Sequence, residues 1–97
     1  MNNHFSFLPQ LAIVVPCYKE EAVLPETHHR LSALLDVMVK ADEVAPSSYV
    51  LYVNDGSRDC TWPLIEELNQ TSRYACGLNL AGNVGHQNAL MAGLEAV

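Results

Sequence analysis

Three short apolar runs organise this chain, each followed by a polar stretch bearing glycine or proline and then by a helical pattern. Leu11-Ala12-Ile13-Val14-Val15 is continuous and is stopped by Pro16, as expected of a strand buried on both faces of a parallel sheet. From about Ala22 to Lys40 the residues Leu24, Leu31, Leu34, Leu35 and Met38 recur at helical spacing. Pro25 is tolerable there only in the first turn, which sets the helix start. Asp42 to Ser48, with Pro46, reads as a connection, and Tyr49-Val50-Leu51-Tyr52-Val53 as a second buried strand. Asn54-Asp55-Gly56-Ser57 reads as a turn directly after it. Leu64, Ile65 and Leu68 give the next helix its apolar stripe, with Asp59 or Thr61 as its cap and Pro63 in its first turn. Tyr74 to Leu80 is a weaker third strand, and Ala81-Gly82-Asn83-Val84-Gly85 is the loop after it. The last helix runs from His86 or Gln87 to Val97, with Ala89, Leu90, Gly93, Leu94 and Val97 along one side. A glycine inside a helix costs about 1 kcal/mol relative to alanine, so Gly93 points to close helix packing.

The order β-α-β-α-β-α with short connections predicts an α/β fold of parallel strands and right-handed crossovers. Functional loops in such a sheet lie at the carboxyl ends of the strands. Pro16–Glu21, Asn54–Asp59 and Ala81–Gln87 occupy those places and carry the unusual polar and glycine content. The last helix reaches Val97 with no cap or stop signal, so the chain is expected to end artificially.

Composition narrows the partners. At 97 residues the chain is one small domain or a piece of a larger one. Charged residues make up 16%, below the roughly 25% usual for soluble domains. Either further chain or a partner covers part of the surface, or the domain is compact and weakly charged. The formal net charge is -6, and no basic stripe is present to neutralise phosphates, which excludes nucleic acid. One anionic ligand can still be held locally, through backbone N–H groups or a bridging divalent cation. Cys17, Cys60 and Cys76 are odd in number and far apart, so neither a disulfide framework nor a zinc site is expected, and a reducing cytosolic compartment fits. The opening MNNHFSFLPQ has no signal-peptide character, and no apolar run approaches the roughly 20 residues needed to span a bilayer.

Neither G-x-x-x-x-G-K-[ST] nor G-x-G-x-x-G occurs at the first strand. Each loop alone has an ordinary reading. Glu20 and Glu21 favour a helix N-terminus, Asp55 and Gly56 suit a turn, and Gly82 and Gly85 permit positive φ. His28 and His29, adjacent on a helix, point in different directions and are expected to face solvent. His86 is either a cap or a ligand contact. Aromatic residues, at 7%, are too few for a carbohydrate-stacking platform.

The combination is more specific than its parts. Val15-Pro16-Cys17-Tyr18-Lys19-Glu20-Glu21, then Val53-Asn54-Asp55-Gly56-Ser57-Arg58-Asp59-Cys60-Thr61, then Asn83-Val84-Gly85-His86-Gln87-Asn88-Ala89-Leu90-Met91-Ala92-Gly93-Leu94 resembles the family-2 inverting glycosyltransferases. The resemblance is greatest to the branch acting on polyprenyl phosphates, similar to dolichyl-phosphate mannose synthase. It implies a truncated, Rossmann-like GT-A nucleotide-binding half over residues 11–97, preceded by a tail of residues 1–10. It further implies that Pro16, Tyr18 and Glu20 line a base and ribose pocket, that Asp55 hydrogen-bonds the base, and that Asn83 with Gly85 closes the pocket. Ser57, Asp59 and Thr61 would shape and cap their loop rather than touch ligand. The implied partners are a UDP- or GDP-linked sugar and a lipid-phosphate acceptor at the cytoplasmic membrane face. The family's Asp-x-Asp motif, which holds Mg²⁺ or Mn²⁺, does not occur in these 97 residues, so metal, general base and acceptor site are expected beyond Val97, with no metal bound here. Lys19 stands where Asn is commoner, Asn54 where Asp is frequent, Cys60 where Gly is usual and Gly82 where Arg is common. The rival readings are a non-catalytic module of the same fold and, further behind, a nucleotidyltransferase. An exposed sheet edge and an uncovered face also predict self-association.

Overall fold

A computed structural model describes residues 8–56, 59–80 and 86–96. Its elements are β1 (Ala12–Cys17), α1 (Leu24–Lys40), β2 (Tyr49–Asp55), α2 (Thr61–Thr71), β3 (Ala75–Leu80) and α3 (His86–Ala96). The strands form a parallel sheet in the order β1-β2-β3, with Ile13 opposite Val50 and Tyr52 opposite Gly77. The expected α/β sheet of three parallel strands with alternating helices is therefore what the chain adopts.

Strand alternation sorts the core into two layers. Val50, Tyr52 and Ala75 pack with Leu24, Leu35 and Ile65 on the face covered by α1 and α2. Leu51 and Val53 pack with Val14, Leu78 and Leu80 on the other, where α3 lies against β1 and β2. Two successive helices thus carry the chain from β1 to β3 on one face, and the third returns over the opposite face towards β1. Ligands in open α/β sheets bind beyond the carboxyl ends of the strands. Among the described residues no helix is long and apolar enough to cross a membrane.

Pro16 does not end β1 but lies within it, opposite Val53. β1 is an edge of this three-stranded sheet, where a residue lacking an N–H is tolerated. The turn after β2 also begins later than expected. Asn54 and Asp55 are strand residues paired with Asn79 and Leu80, and the chain turns at Gly56, whose φ of 70° suits glycine. Pro9 and Gln10 are already tied to the segment before β2, through Ala45 N–H to the Pro9 carbonyl and Gln10 Nε2 to the Ser47 carbonyl.

α1 is rotated relative to its leucine pattern. Leu34 is half exposed, as is Val37, and the buried stripe runs Leu24, His28, Leu31, Leu35. His28, expected in solvent, is 5% exposed. Its Nδ1 lies 2.6 Å from the Tyr52 hydroxyl, and its Nε2 lies 2.8 Å from Ser72 Oγ and 3.0 Å from Ser32 Oγ. Burial raises the Tyr52 phenol above its usual range, so it stays protonated and donates to Nδ1. Ser32 gives its own proton to the His28 carbonyl, leaving both serine oxygens to accept from Nε2–H. This network suits neutral imidazole, and burial lowers the pKa of His28 accordingly.

Gly93 meets the sheet as its place in a helix suggests. A Cβ there would lie 2.5 Å from Val14 Cγ1 and 2.8 Å from Val53 Cγ2. Leu94, expected on the same buried side, is half exposed, as is Met91; the helix seats its glycine on the valines and turns both larger residues outward.

Two stability effects follow. Gly93→Ala gains about 1 kcal/mol of helix propensity but overpacks against stiff β-branched side chains at a cost of about 1–3 kcal/mol. The expected net result is a loss of about 1 kcal/mol in a denaturant titration, and an unchanged or raised midpoint would contradict the packing. For His28 the unfolded chain takes up a proton near pH 6.5 while the folded chain resists. Its contribution is full above about pH 6.5 and is lost as pH falls towards and through the lowered folded-state value. Unfolding free energy should therefore decline between pH 7 and pH 5 in the wild type, and His28→Gln should flatten that decline.

Candidate functional site

β1 and β2 end side by side, with Cys17 opposite Asn54. Period-two alternation puts Pro16 and Asp55 on the α3 face of these adjacent strands, and Cys17 and Asn54 on the other. Asp55 is 1% exposed, while Pro16, Tyr18 and Glu20 are half-buried at the rim. The structure thus brings four of the six expected ligand residues, Pro16, Tyr18, Glu20 and Asp55, to one carboxyl edge. Asn83 and Gly85 lie outside the described residues, as does Ser57.

The first loop is held by its backbone. Lys19 takes the left-handed conformation at φ 55°, a region in which Asn is enriched among non-glycine residues. That gives a physical reason for the Asn commoner at this position in the resembling family. Its ammonium lies 5.3 Å from the Tyr18 ring centroid, a cation–π distance. Next, Glu20 donates its N–H to Thr61 Oγ1 at 2.9 Å. The Glu20 carbonyl accepts from Val23 N–H at 3.0 Å and Leu24 N–H at 2.9 Å, which starts α1 in place of a side-chain cap on Val23.

The second loop closes on the same point. Asp59 Oδ1 accepts Thr61 N–H at 2.9 Å, while the N-cap position of α2 is Cys60, with no side-chain cap bond, rather than Asp59 or Thr61; Thr61 is the helix's first residue and is completely buried. The Thr61 hydroxyl, together with the backbone N–H groups of Thr61 and Glu21, holds the Asp59 carboxyl below the usual carboxylate range. Cys17 is chemically quiet. Burial, reinforced by the nearby Glu20 charge, pushes its thiol up to about 12, so it is no nucleophile at neutral pH.

A cavity of 120 Å³ lies between β1 and the start of α1, bounded by Pro16, Cys17, Glu20, Leu24 and Thr27. It is well below the roughly 300–1,000 Å³ of small-molecule pockets, and neither Asp55 nor Tyr18 lines it. The candidate site is instead the carboxyl edge of β1 and β2. Its rim carries the half-buried Glu20 carboxylate, Tyr18 ring and Pro16, with the Asp55 carboxyl buried beneath them. Carboxylates accept hydrogen bonds from the N–H and O–H groups of a base or ribose but repel phosphate. Among the described residues no group of three or more His, Cys, Asp or Glu side chains could hold a metal ion. The described residues therefore do not fit a metal centre.

Two contacts escape reading by sequence. Asn54, where the resembling family often has Asp, is buried and donates from its amide to Asn79 Oδ1 at 2.8 Å. The Glu20–Thr61 bond joins residues 41 apart in sequence; no spacing in the sequence pointed to it.

Residues 12–97 match the family described as Glycosyl transferase family 2. The chain is 48% identical over 87 residues to "Uncharacterized glycosyltransferase YkoT" of Bacillus subtilis (strain 168), covering 90% of this chain and 26% of that protein. It is 39% identical over 88 residues to an undecaprenyl-phosphate 4-deoxy-4-formamido-L-arabinose transferase of Shewanella sediminis (strain HAW-EB3), covering 90% and 25%. It is 29% identical over 86 residues to a prophage bactoprenol glucosyl transferase homolog of Escherichia coli (strain K12), covering 89% and 26%. The chain spans about a quarter of the length of these relatives. With two motif-bearing loops at the carboxyl ends of adjacent parallel strands and a family match over residues 12–97, the chain belongs to glycosyl transferase family 2.

Proposed function

We propose that residues 11–97 are the nucleotide-binding part of a sugar-nucleotide-dependent glycosyltransferase of GT-A type, with residues 1–10 leading into it. The observation that carries this reading is the gathering of Pro16, Tyr18, Glu20 and Asp55 at the carboxyl ends of the adjacent strands β1 and β2. Tyr18 offers a face to the base, and the Asp55 and Glu20 carboxylates accept from base and ribose. Asn83 and Gly85 close the pocket.

In the whole protein, an oxygen of the acceptor attacks the anomeric carbon of the donor sugar. A new C–O bond forms as the C–O bond to the nucleoside diphosphate breaks, and the configuration inverts. The acceptor is a polyprenyl phosphate at the cytoplasmic face of the membrane; two of the relatives carry undecaprenyl phosphate or bactoprenol in their names. A divalent metal, Mg²⁺ or Mn²⁺, would neutralise charge on the leaving diphosphate; residues outside these 97 hold it, as they do the general base. The chain by itself binds nucleotide weakly and transfers no sugar.

An NMR titration with UDP and with GDP, with and without Mn²⁺, tests this. The expected outcome is amide shifts confined to the first and second loops and the start of α3, the same with or without metal, and lost in Asp55→Asn. Absence of shifts from a folded sample would favour a non-catalytic module, and sugar transfer by these 97 residues would overturn the claim that chemistry lies elsewhere. We also propose that the chain self-associates, since Leu34 and Val37 on α1 and Met91 and Leu94 on α3 are half or more exposed. Light scattering should give a mass above that of the monomer at high concentration; a clean monomer refutes it.

A further inference from the structure

Thr61 is fully buried, starts α2 and is remote in sequence from the first loop. Its hydroxyl accepts the Glu20 N–H at 2.9 Å, and the Glu20 carbonyl is bound to the first turn of α1. Both sides of residue 20 are therefore fixed. One residue earlier, Lys19 sits at φ 55°, a conformation that a lysine keeps only where its surroundings over-determine it. Asp59 in turn accepts the Thr61 N–H at 2.9 Å, at the start of the same helix. One amide of the first loop thus ends on a side chain at the start of α2.

We propose that Thr61, supported by Asp59, is a positioning residue that fixes the first loop and thereby sets nucleotide affinity without lining the site. The proposal rests on the nucleotide reading above. The chemistry is one of preorganisation. A loop held in its binding conformation by bonds from behind does not lose that freedom again when ligand arrives. Tyr18 and Glu20, on either side of the left-handed residue, keep their side chains aimed at the strand ends only while residue 20 is anchored. Binding the Thr61 N–H explains why Asp59 is there; it does not explain a buried threonine hydroxyl spent on the backbone of another loop.

The test compares wild type, Thr61→Val and Thr61→Ser by amide hydrogen exchange and by UDP and GDP titration, with thermal melts reporting global stability. Valine keeps the shape and removes the acceptor; serine keeps the acceptor. In Thr61→Val the Glu20 amide is expected to exchange at least about tenfold faster at a pH where the melt is still cooperative, and nucleotide affinity to fall about tenfold. Thr61→Ser restores both, and Asp59→Asn, which weakens the hold on the Thr61 N–H, gives an intermediate loss. Unchanged Glu20 exchange in Thr61→Val overturns the clamp. Faster exchange with unchanged affinity overturns its role in binding. If neither UDP nor GDP shifts the wild type, the nucleotide reading fails, and the affinity half of the proposal with it, while the Glu20 exchange still decides whether the clamp exists.

Discussion

The burial of β2 from both sides is the constraint on which the rest of this structure depends. Val50 through Asp55 are all buried, and a strand in that position needs a neighbour along each edge and a layer of helix against each face. β1 and β3 supply the edges, α1 and α2 one face, and α3 the other. Once that arrangement is imposed, the end of β2 is also fixed, and with it a buried carboxylate at position 55 beside the end of β1. Site and core are one continuous strand.

Around that strand the polar groups are handled in two ways. Deep in the α1 layer, His28, Tyr52, Ser32 and Ser72 satisfy one another with a neutral ring at the centre. A hydrogen-bonded set of this kind fixes the rotation of α1 on the sheet more tightly than leucine alone, because an unpaired buried partner costs more than a displaced methyl group. At the strand ends the polar groups are backbone amides, and side chains from a neighbouring loop answer them. The first kind specifies the fold; the second shapes the surface where a ligand would rest.

How much of this was legible in the sequence differs by level. The apolar run at Tyr49–Val53 named β2, because a strand covered on two faces has no reason to alternate; the run at Leu11–Val15 placed β1 as well, although at the sheet's edge it is only half-buried as far as Cys17. The rotation of α1 was misread because the leucines at 34 and 35 offered two phases. The phase that wins places a histidine on the stripe, four residues from Leu24 and three from Leu31. Hydrophobicity cannot see that a histidine is buried when its partners come from β2 and the end of α2. Pro16 misled in the same local way: it forbids a donor, but at the edge of this sheet that does not end the strand. Of the site, Pro16, Tyr18, Glu20 and Asp55 were readable because strand-end loops of a parallel sheet converge. The bonds between loops were not, since pairing across 41 residues follows from packing and leaves no spacing to read.

Glycine sets the distance between layers on both faces of the sheet. On one side Gly77 of β3 admits Ile65 and Trp62 of α2, and on the other Gly93 of α3 rests on Val14 and Val53. In each case the missing Cβ belongs to one layer and the atoms that fill its space to the other. Sequence drift at these places is therefore correlated across layers: a larger residue at 77 calls for a smaller one at 62 or 65, and a larger one at 93 for a smaller one at 14 or 53. Among relatives, positions on separate elements should vary as coupled sets, leaving a record of layer spacing in the statistics of the family.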